Sequence, residues 1–132
     1  MARHGLLHAE MSDRIIREFL QVHHELGPGF VESVYSKGMG CALTDAGLLV
    51  EREVPIAVHF RGRIVGSFRA DMVVESIVLL EFKAGDRLDP SCEAQVLNYL
   101  RATRIELALI LHFGPRPTFK RLIWTNDRKL LP

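Results

Sequence analysis

Apolar residues in the first third of the chain recur at the three- and four-residue spacing of an α-helix. The predicted helix covers residues 11–27, and its apolar side consists of Ile15, Ile16, Phe19, Leu20 and Val22. Ser12 or Asp13 suits its N-cap, because a short side-chain oxygen can accept an unpaired backbone N–H. The Gly-Pro-Gly segment at residues 27–29 ends the helix.

A second helix is predicted over residues 30–47, and Gly47 is a suitable C-terminal stop. Gly38 and Gly40 lie inside this helix, where each glycine costs about 1 kcal/mol relative to alanine. Small residues at these positions could let another element approach closely.

Three strands are predicted next, over residues 48–60, 64–74 and 76–84, with a turn at residues 61–63. Pro55 lies inside the first of these strands. Because proline cannot donate a hydrogen bond to a neighbouring strand, Pro55 indicates an edge position or a bulge.

The last third of the chain completes a mixed α/β pattern. Asp89 is expected to cap a helix over residues 91–103, with Pro90 in its first turn. Strands follow over residues 106–114 and 118–126, and the first of them is almost entirely apolar, as a central strand would be. The helical crossover between the third and fourth strands implies that these two strands pair in parallel.

The third strand is unusual because charged residues occupy its end. Side chains alternate between the two faces of a strand, so Ile77, Leu79, Glu81 and Lys83 share one face. Charged side chains are almost never fully buried without a partner or a metal ion. A face that is apolar at its start and charged at its end is expected at the mouth of a cleft.

Asp71, in the preceding strand, can reach the same face in one of two registers. If Val74 pairs with Val78 across a three-residue loop, Asp71 falls opposite Glu81, and directly opposed Cβ atoms lie about 4.5–5.5 Å apart. A two-residue turn would instead pair Asp71 with Leu80 and place it on the other face. The metal-site interpretation therefore requires the three-residue loop.

Two carboxylates at this distance repel each other unless a proton or a cation lies between them. Hard oxygen ligands suit Mg²⁺, which usually takes one or two carboxylates and can activate a water beside a phosphoryl group. Lys83 could position that water or stabilise the transition state. The alternative is structural, with Lys83 forming an ion pair with Glu81 or Asp71 at the end of the sheet.

Length and composition are those of an ordinary globular protein. Residues 1–132 are expected to form one domain, with residues 1–11 as a flexible N-terminus. Apolar residues make up 48% and charged residues 25%, and a net charge of +1 gives no strong overall field. The two cysteines form no CxxC pattern, and no secretion signal or membrane-length apolar run is present. The expected location is cytoplasmic, with no membrane partner.

Several motifs, in order along the chain, carry a family resemblance. They are Gly29-x-x-Glu32-x-x-Tyr35, ADMVV, LEFKA, EAQVLNYL and LHFG, and the similarity extends from about residue 12 to Trp124. The chain resembles the GxxExxY family, a branch of the PD-(D/E)XK nuclease superfamily. The resemblance implies a restriction-endonuclease-like core, in which α-helices flank a mixed central β-sheet.

The resemblance also implies roles for the charged residues. Asp71 and Glu81 would be metal ligands, and Lys83 would be the catalytic lysine. Glu32, on the second helix, would be a further acidic ligand, although an isolated glutamate there could equally be a solvated helix residue. The implied cofactor is Mg²⁺, for which Mn²⁺ could substitute.

Gln95 and Tyr99 form a QxxxY element, which lines the site in the exonuclease-like branch of the superfamily. At positions i and i+4 the two side chains lie on one helix face. Two positions depart from the pattern, since Ala70 replaces the proline of the superfamily name and His112 stands where asparagine is typical. His112 is therefore left as an extra polar group near the sheet end.

Basic residues around the implied cleft are candidates for contact with a phosphate backbone. Arg121 is favoured because its strand neighbours the site in the implied fold, and Lys120 and Arg69 are further candidates. The alternative is a solvated surface whose charges are balanced by nearby glutamates.

Together these features predict a Mg²⁺-dependent nuclease that hydrolyses phosphodiester bonds, with DNA as the favoured substrate and recognition directed by structure or by an end. The alternative is a catalytically silent module on the same scaffold that binds nucleic acid or protein. The sequence leaves open whether the substrate is DNA or RNA and whether the chain forms a homodimer.

Overall fold

Two helices open the chain and pack against each other. In the computed structural model, which describes residues 6–132, α1 spans Ala9–Leu26 and α2 spans Glu32–Asp45. A Cβ atom on Gly38 would lie 3.3 Å from two side chains of α1. The close approach expected at this glycine is therefore confirmed, and it explains why the helix tolerates the residue.

The start of α1 differs from the sequence expectation. Residues 9–11, expected in a flexible N-terminal segment, are helical because the first turn packs against the core. His8 occupies the N-cap position, so the expected cap at Ser12 or Asp13 is wrong. Residues 1–5 of the expected flexible segment lie outside the described residues.

The five strands form one mixed sheet in their order along the chain. They are β1 (Val50–Phe60), β2 (Arg63–Val74), β3 (Val78–Ala84), β4 (Leu107–Phe113) and β5 (Pro117–Ile123). Only β3 and β4 pair in parallel, as predicted, and the other neighbours are antiparallel. Pro55 lies in the edge strand β1, and the apolar strand β4 is paired on both sides, so both expectations are confirmed.

A third helix, α3 (Ser91–Arg101), connects the two parallel strands. Pro90 occupies the N-cap position rather than Asp89, but Asp89 Oδ1 makes the bonds expected of a capping side chain, since it accepts the backbone N–H and the hydroxyl of Ser91, both at 2.9 Å. Pro90 adopts a helical conformation with φ −58° and ψ −26°.

The helices cover the two faces of the sheet and create two apolar cores. The core under α1 and α2 contains Phe19, Tyr35, Met39, Phe82 and Phe113 among its buried side chains. The core under α3 contains Leu79, Val96, Tyr99, Leu100 and Ile110. This three-layer arrangement confirms the predicted α/β class. Between residues 6 and 132, no helix has the length and apolar content needed to cross a membrane.

Strand β2 changes its apolar face partway along. Met72 and Val74 belong to the core under α1 and α2, whereas Ala70 belongs to the core under α3. Regular alternation would keep all three side chains on one face. In β1, Glu53 lies between the partners of Ala70 and Met72 and has a φ of 51°, in the left-handed region. The irregularity therefore coincides with Asp71.

Candidate active site

Asp71 and Glu81 come together through the register of β2 and β3. Val74 pairs with Val78 across a three-residue connection, and the ladder keeps this register up to Met72 and Leu80, the chain neighbours of Asp71 and Glu81. The three-residue loop expected for a metal site is therefore confirmed, and the two-residue alternative is wrong. Within this connection Glu75 and Ser76 have positive φ angles of 54° and 55°, and the N–H of Ile77 donates to the carbonyl of Val74 over 3.0 Å.

Beyond this point the two carboxylates bond to the backbone of the opposite strand. The N–H of Asp71 donates to Glu81 Oε1 over 2.9 Å, and the N–H of Phe82 donates to Asp71 Oδ2 over 2.8 Å. Each carboxylate is thus anchored by the neighbouring strand. The pair is held together on a rigid element rather than on a loop.

Burial and charge repulsion act together on this pair. Glu81 is 6% exposed, and Asp71 is half-buried beside it. Burial, and after it the negative charge of Asp71, raises the pKa of Glu81 to about 7. A carboxyl group that keeps its proton up to neutral pH is a favourable place for a cation to bind. The positive charge of the cation would offset both the cost of burying the carboxylate and its repulsion from Asp71.

Lys83 lies next on the same strand and is half-buried. Burial lowers its pKa, but the nearby charges of Cys92, Glu32, Glu81 and Asp71 raise it, and the net result is a pKa above the ordinary lysine value. Lys83 is therefore a stable cation at neutral pH. Within the described residues its ammonium makes no direct ion pair with Asp71 or Glu81. The ion pair that a purely structural role of Lys83 would require is therefore not formed.

The loop before α2 positions Glu32 through the hydroxyl of Tyr35. Tyr35 donates to the carbonyl of Gly27 over 2.6 Å and accepts the N–H of Phe30 over 3.1 Å. Gly29, at φ 107°, adopts a backbone conformation that other residues rarely reach. The glycine and tyrosine of the motif thus close the loop, and Glu32 becomes the exposed first residue of α2.

Glu32 does not join the two carboxylates in a three-residue metal cluster. In the part of the chain that the structure describes, no three His, Cys, Asp or Glu side chains are arranged to hold a metal ion. The reason is that α2 packs on the face of β3 that carries Phe82, whereas Glu81 alternates to the other face. The charge of Glu32 nevertheless acts on Lys83 at the end of the strand.

Helix α3 supplies the opposite wall of the site. Gln95 Nε2 donates to the hydroxyl of Tyr99 over 2.7 Å, so the two residues of the QxxxY element are in contact. Burial, followed by the charge of Glu81, raises the pKa of Tyr99, which places its phenol within the field of the carboxylates. Cys92 is buried on the same helix, and burial raises the pKa of its thiol, which makes it a weak nucleophile.

His112, left uncertain by the sequence, has a defined contact. It is paired with Lys83 in the parallel ladder, and its Nε2 donates to the carbonyl of Gly85 over 2.8 Å. Its Nδ1 lies 3.4 Å from the hydroxyl of Thr118. His112 therefore holds the loop that directly follows the strand of Lys83. Its position at the end of a central strand was the available sequence signal.

The three candidate phosphate-binding cations occupy different environments. Arg121 is half-buried, and its guanidinium donates to the carbonyl of Leu7. Lys120 forms an ion pair with Glu93 on α3, with 3.1 Å between Nζ and Oε2. Arg69 is exposed on β2. Arg121 and Lys120 thus already have partners within the protein.

Comparison with known proteins agrees with this geometry. A family model described as the PD-(D/E)XK nuclease superfamily matches residues 9–122. The crystal structure of SSO0001 is similar in fold, with a TM-score of 0.52 and 19% sequence identity over 72% of this chain and 50% of that chain. This chain therefore spans half the length of that protein. No curated protein matches. Because the family model covers most of the sequence, and the strands bring Asp71, Glu81 and Lys83 together, the chain belongs to the PD-(D/E)XK nuclease superfamily.

Proposed function

We propose that this chain is a divalent-metal-dependent nuclease of the GxxExxY type that hydrolyses phosphodiester bonds in DNA. The observation that carries the proposal is the anchored pair of Asp71 and Glu81, with the protonated Lys83 two residues along the same strand. The GxxExxY assignment is supported by Tyr35, whose hydroxyl closes the loop in front of Glu32.

The donor set of Asp71 and Glu81 fits Mg²⁺ or Mn²⁺. Both side chains offer hard oxygens, and each uses one oxygen in a backbone hydrogen bond, at Asp71 Oδ2 and Glu81 Oε1. Mg²⁺ usually needs only one or two protein carboxylates and keeps water in its other positions. When bound, such an ion supplies an acidified water and neutralises charge on the phosphoryl oxygens.

The remaining side chains have electrostatic and positioning roles. Lys83 stays protonated, so it donates hydrogen bonds to the scissile phosphate or to the attacking water, and its positive charge stabilises negative charge in the transition state. It does not act as a base. Glu32 contributes negative charge that helps to keep Lys83 protonated. Gln95 and Tyr99 contact the nucleic acid from α3, and Arg69 is an exposed cation on β2. Lys120 and Arg121 would contact a phosphate backbone only from the positions in which Glu93 and the carbonyl of Leu7 hold them.

A single domain over residues 1–132 and a cytoplasmic location complete the proposal. The two cores share one sheet, which supports the single domain. Both cysteines are free, which supports a reducing compartment.

The second candidate is a catalytically silent module that binds nucleic acid. It is favoured by one observation, namely that the described residues hold only two carboxylates together rather than three. Such a module would bind nucleic acid without any requirement for a cation.

The decisive experiment for the two candidates is cleavage of a mixed panel of linear, circular, single-stranded and branched DNA and RNA with Mg²⁺ or Mn²⁺. We expect the wild-type protein to cut at least one DNA and both Glu81→Ala and Lys83→Ala to lose the activity. Glu51→Ala is the matched control, since Glu51 is an exposed carboxylate on β1. Equal activity of wild type and Glu81→Ala, or no cutting by any protein, would contradict the nuclease proposal.

A further inference from the structure

A groove of about 740 Å³ opens beside the candidate active site. Its walls come from the β1–β2 hairpin, from α3 and from the C-terminal segment 124–132. We call it the aromatic groove. Gln95 and Tyr99 line it, and Tyr99 packs in the same apolar core as Ala70 and Leu79, which lie on the strands of Asp71 and Glu81.

Aromatic rings are the first distinctive feature of the aromatic groove. Phe60 and Phe68 stand on the hairpin and remain 57% and 46% exposed, although large apolar side chains usually seek burial. The ring of Phe68 lies 5.8 Å from that of Tyr99. Phe68 and Tyr99 thus lie side by side and offer ring surface to a flat apolar ligand, while the guanidinium carbon of Arg61 lies 4.8 Å from the centre of the Phe60 ring.

Positively charged side chains without acidic ones are the second feature. Arg101 and Arg128 line the groove, and their guanidinium carbons lie 5.3 Å and 4.1 Å from the centre of the Trp124 ring. No aspartate or glutamate is among the lining residues, all of which belong to the described part of the chain. Lys129 also lines it, but its ammonium donates to the carbonyls of Thr103 and Ile105. Arg101 and Arg128 are therefore the cations that a ligand would meet.

We propose that the aromatic groove binds an unpaired strand of nucleic acid and leads it to Asp71 and Glu81. Bases stack on the exposed rings of the hairpin, and phosphates contact the guanidinium groups beside Trp124. The inference rests on the proposed function in that the bound strand is the substrate of the nuclease.

The chemistry of the groove favours an unpaired strand over a duplex. In a duplex the base faces are stacked on each other, so exposed phenylalanine rings would have nothing to stack against. In a single strand or a frayed end the base faces are free, and base stacking on aromatic side chains contributes about 1–3 kcal/mol per base. An acidic peptide could satisfy the arginines, but it would leave the row of rings unused.

The single tryptophan of the chain gives a direct readout, because Trp124 lines the groove. We would titrate single-stranded oligothymidylate into metal-free protein in EDTA and follow both Trp124 fluorescence and the anisotropy of a label on the DNA. Binding is thereby measured without cleavage. We expect the fluorescence to change on binding and a duplex of matched length to bind more weakly.

Substitutions then locate the bound strand. Phe68→Ala should weaken oligothymidylate binding by at least about fivefold, which corresponds to the loss of one stacked base. Arg101→Gln and Arg128→Gln should weaken binding and reduce its salt dependence. The matched controls are Phe119→Ala and Arg17→Gln, exposed residues on β5 and α1 that do not line the groove, and these should bind as the wild type does.

Three results would overturn the inference. They are wild-type affinity in the groove variants, duplex binding as tight as single-strand binding, and self-association that Phe68→Ala abolishes while oligonucleotide binding is unchanged. The last result would assign the groove to a second copy of the chain. If the groove variants cleave and bind as the wild type does, only this inference is contradicted. If binding depends on the groove but no protein shows metal-dependent cleavage, only the proposed function is contradicted.

Discussion

The backbone N–H of Asp71 donates to Glu81 Oε1 over 2.9 Å, although the two side chains carry like charges when ionised. Asp71 Oδ2 in turn accepts the N–H of Phe82 over 2.8 Å. Neither carboxylate can withdraw from the other without breaking a hydrogen bond to the neighbouring strand. The repulsion between them is therefore maintained by the sheet, and a bound proton or cation relieves it.

The metal-free protein should lose stability as the pH rises. The pKa of Glu81 is about 7 in the folded chain against 4.5 as its ordinary value, so the folded state binds this proton more tightly. The resulting stabilisation is fully present below 4.5 and is lost as the pH rises through 7. Between about pH 5 and about pH 8 in EDTA, urea unfolding should show a loss of about 1–3 kcal/mol relative to Glu81→Gln.

Glu51→Gln is the control for this pH dependence, because Glu51 is exposed on β1. It should follow the wild-type stability curve. A Glu81→Gln curve parallel to that of the wild type would show that Glu81 titrates normally.

Gly114 should be sensitive to substitution because of His112. A Cβ atom on Gly114 would lie 2.7 Å from His112 Cε1 and 3.2 Å from the carbonyl oxygen of Gly85. Gly114→Ala should therefore cost about 1–3 kcal/mol in the free energy of unfolding. In a His112→Ala background the cost should fall, since both close contacts with the imidazole are gone and only that with Gly85 remains. Strictly additive costs in urea unfolding would contradict the contact.

Tyr35→Phe should destabilise the loop before α2 by about 1–2 kcal/mol, because two hydrogen bonds of the hydroxyl are lost. The ring contact with Phe113, at a centroid distance of 4.2 Å, would remain. Tyr99→Phe is the comparison, since it loses only the bond from the exposed Gln95. Urea unfolding should rank Tyr35→Phe as the more costly change, and the reverse order would contradict the role given to the loop.

Glu53→Gly should leave stability unchanged or raise it by up to about 1 kcal/mol, because the φ of 51° is costly for glutamate and free for glycine. Glu51→Gly, two residues earlier in regular strand, should instead cost about 0.5–1 kcal/mol. Thermal unfolding of the two variants gives the comparison. An equal cost at both positions would mean that β1 has no left-handed residue in solution.

The parts of the site that follow a fixed local period could be predicted from the sequence. Strand alternation predicts that a three-residue loop, but not a two-residue turn, places Asp71 opposite Glu81, and the structure has the three-residue loop. The contact between Gln95 and Tyr99 follows from their i, i+4 spacing on a helix.

The parts that depend on distant contacts could not be predicted. The face change in β2 coincides with a positive φ at Glu53 in the neighbouring strand, and a glutamate gives no sequence signal for that conformation. The bond of His112 to Gly85 exists only once the parallel crossover is formed. Arg121 and Lys120 were predicted from proximity to the cleft, but the contacts with Leu7 and Glu93 that occupy them join elements distant in sequence.

The most direct test of the metal site is calorimetric titration of Mg²⁺ or Mn²⁺ into the metal-free protein and into the isosteric variants Asp71→Asn, Glu81→Gln and Glu32→Gln. The wild type should bind the cation, and affinity should fall at least about tenfold in Asp71→Asn and Glu81→Gln but stay close to wild type in Glu32→Gln. Absence of cation binding by the wild type, or unchanged affinity in Asp71→Asn and Glu81→Gln, would contradict a metal site at this pair of carboxylates.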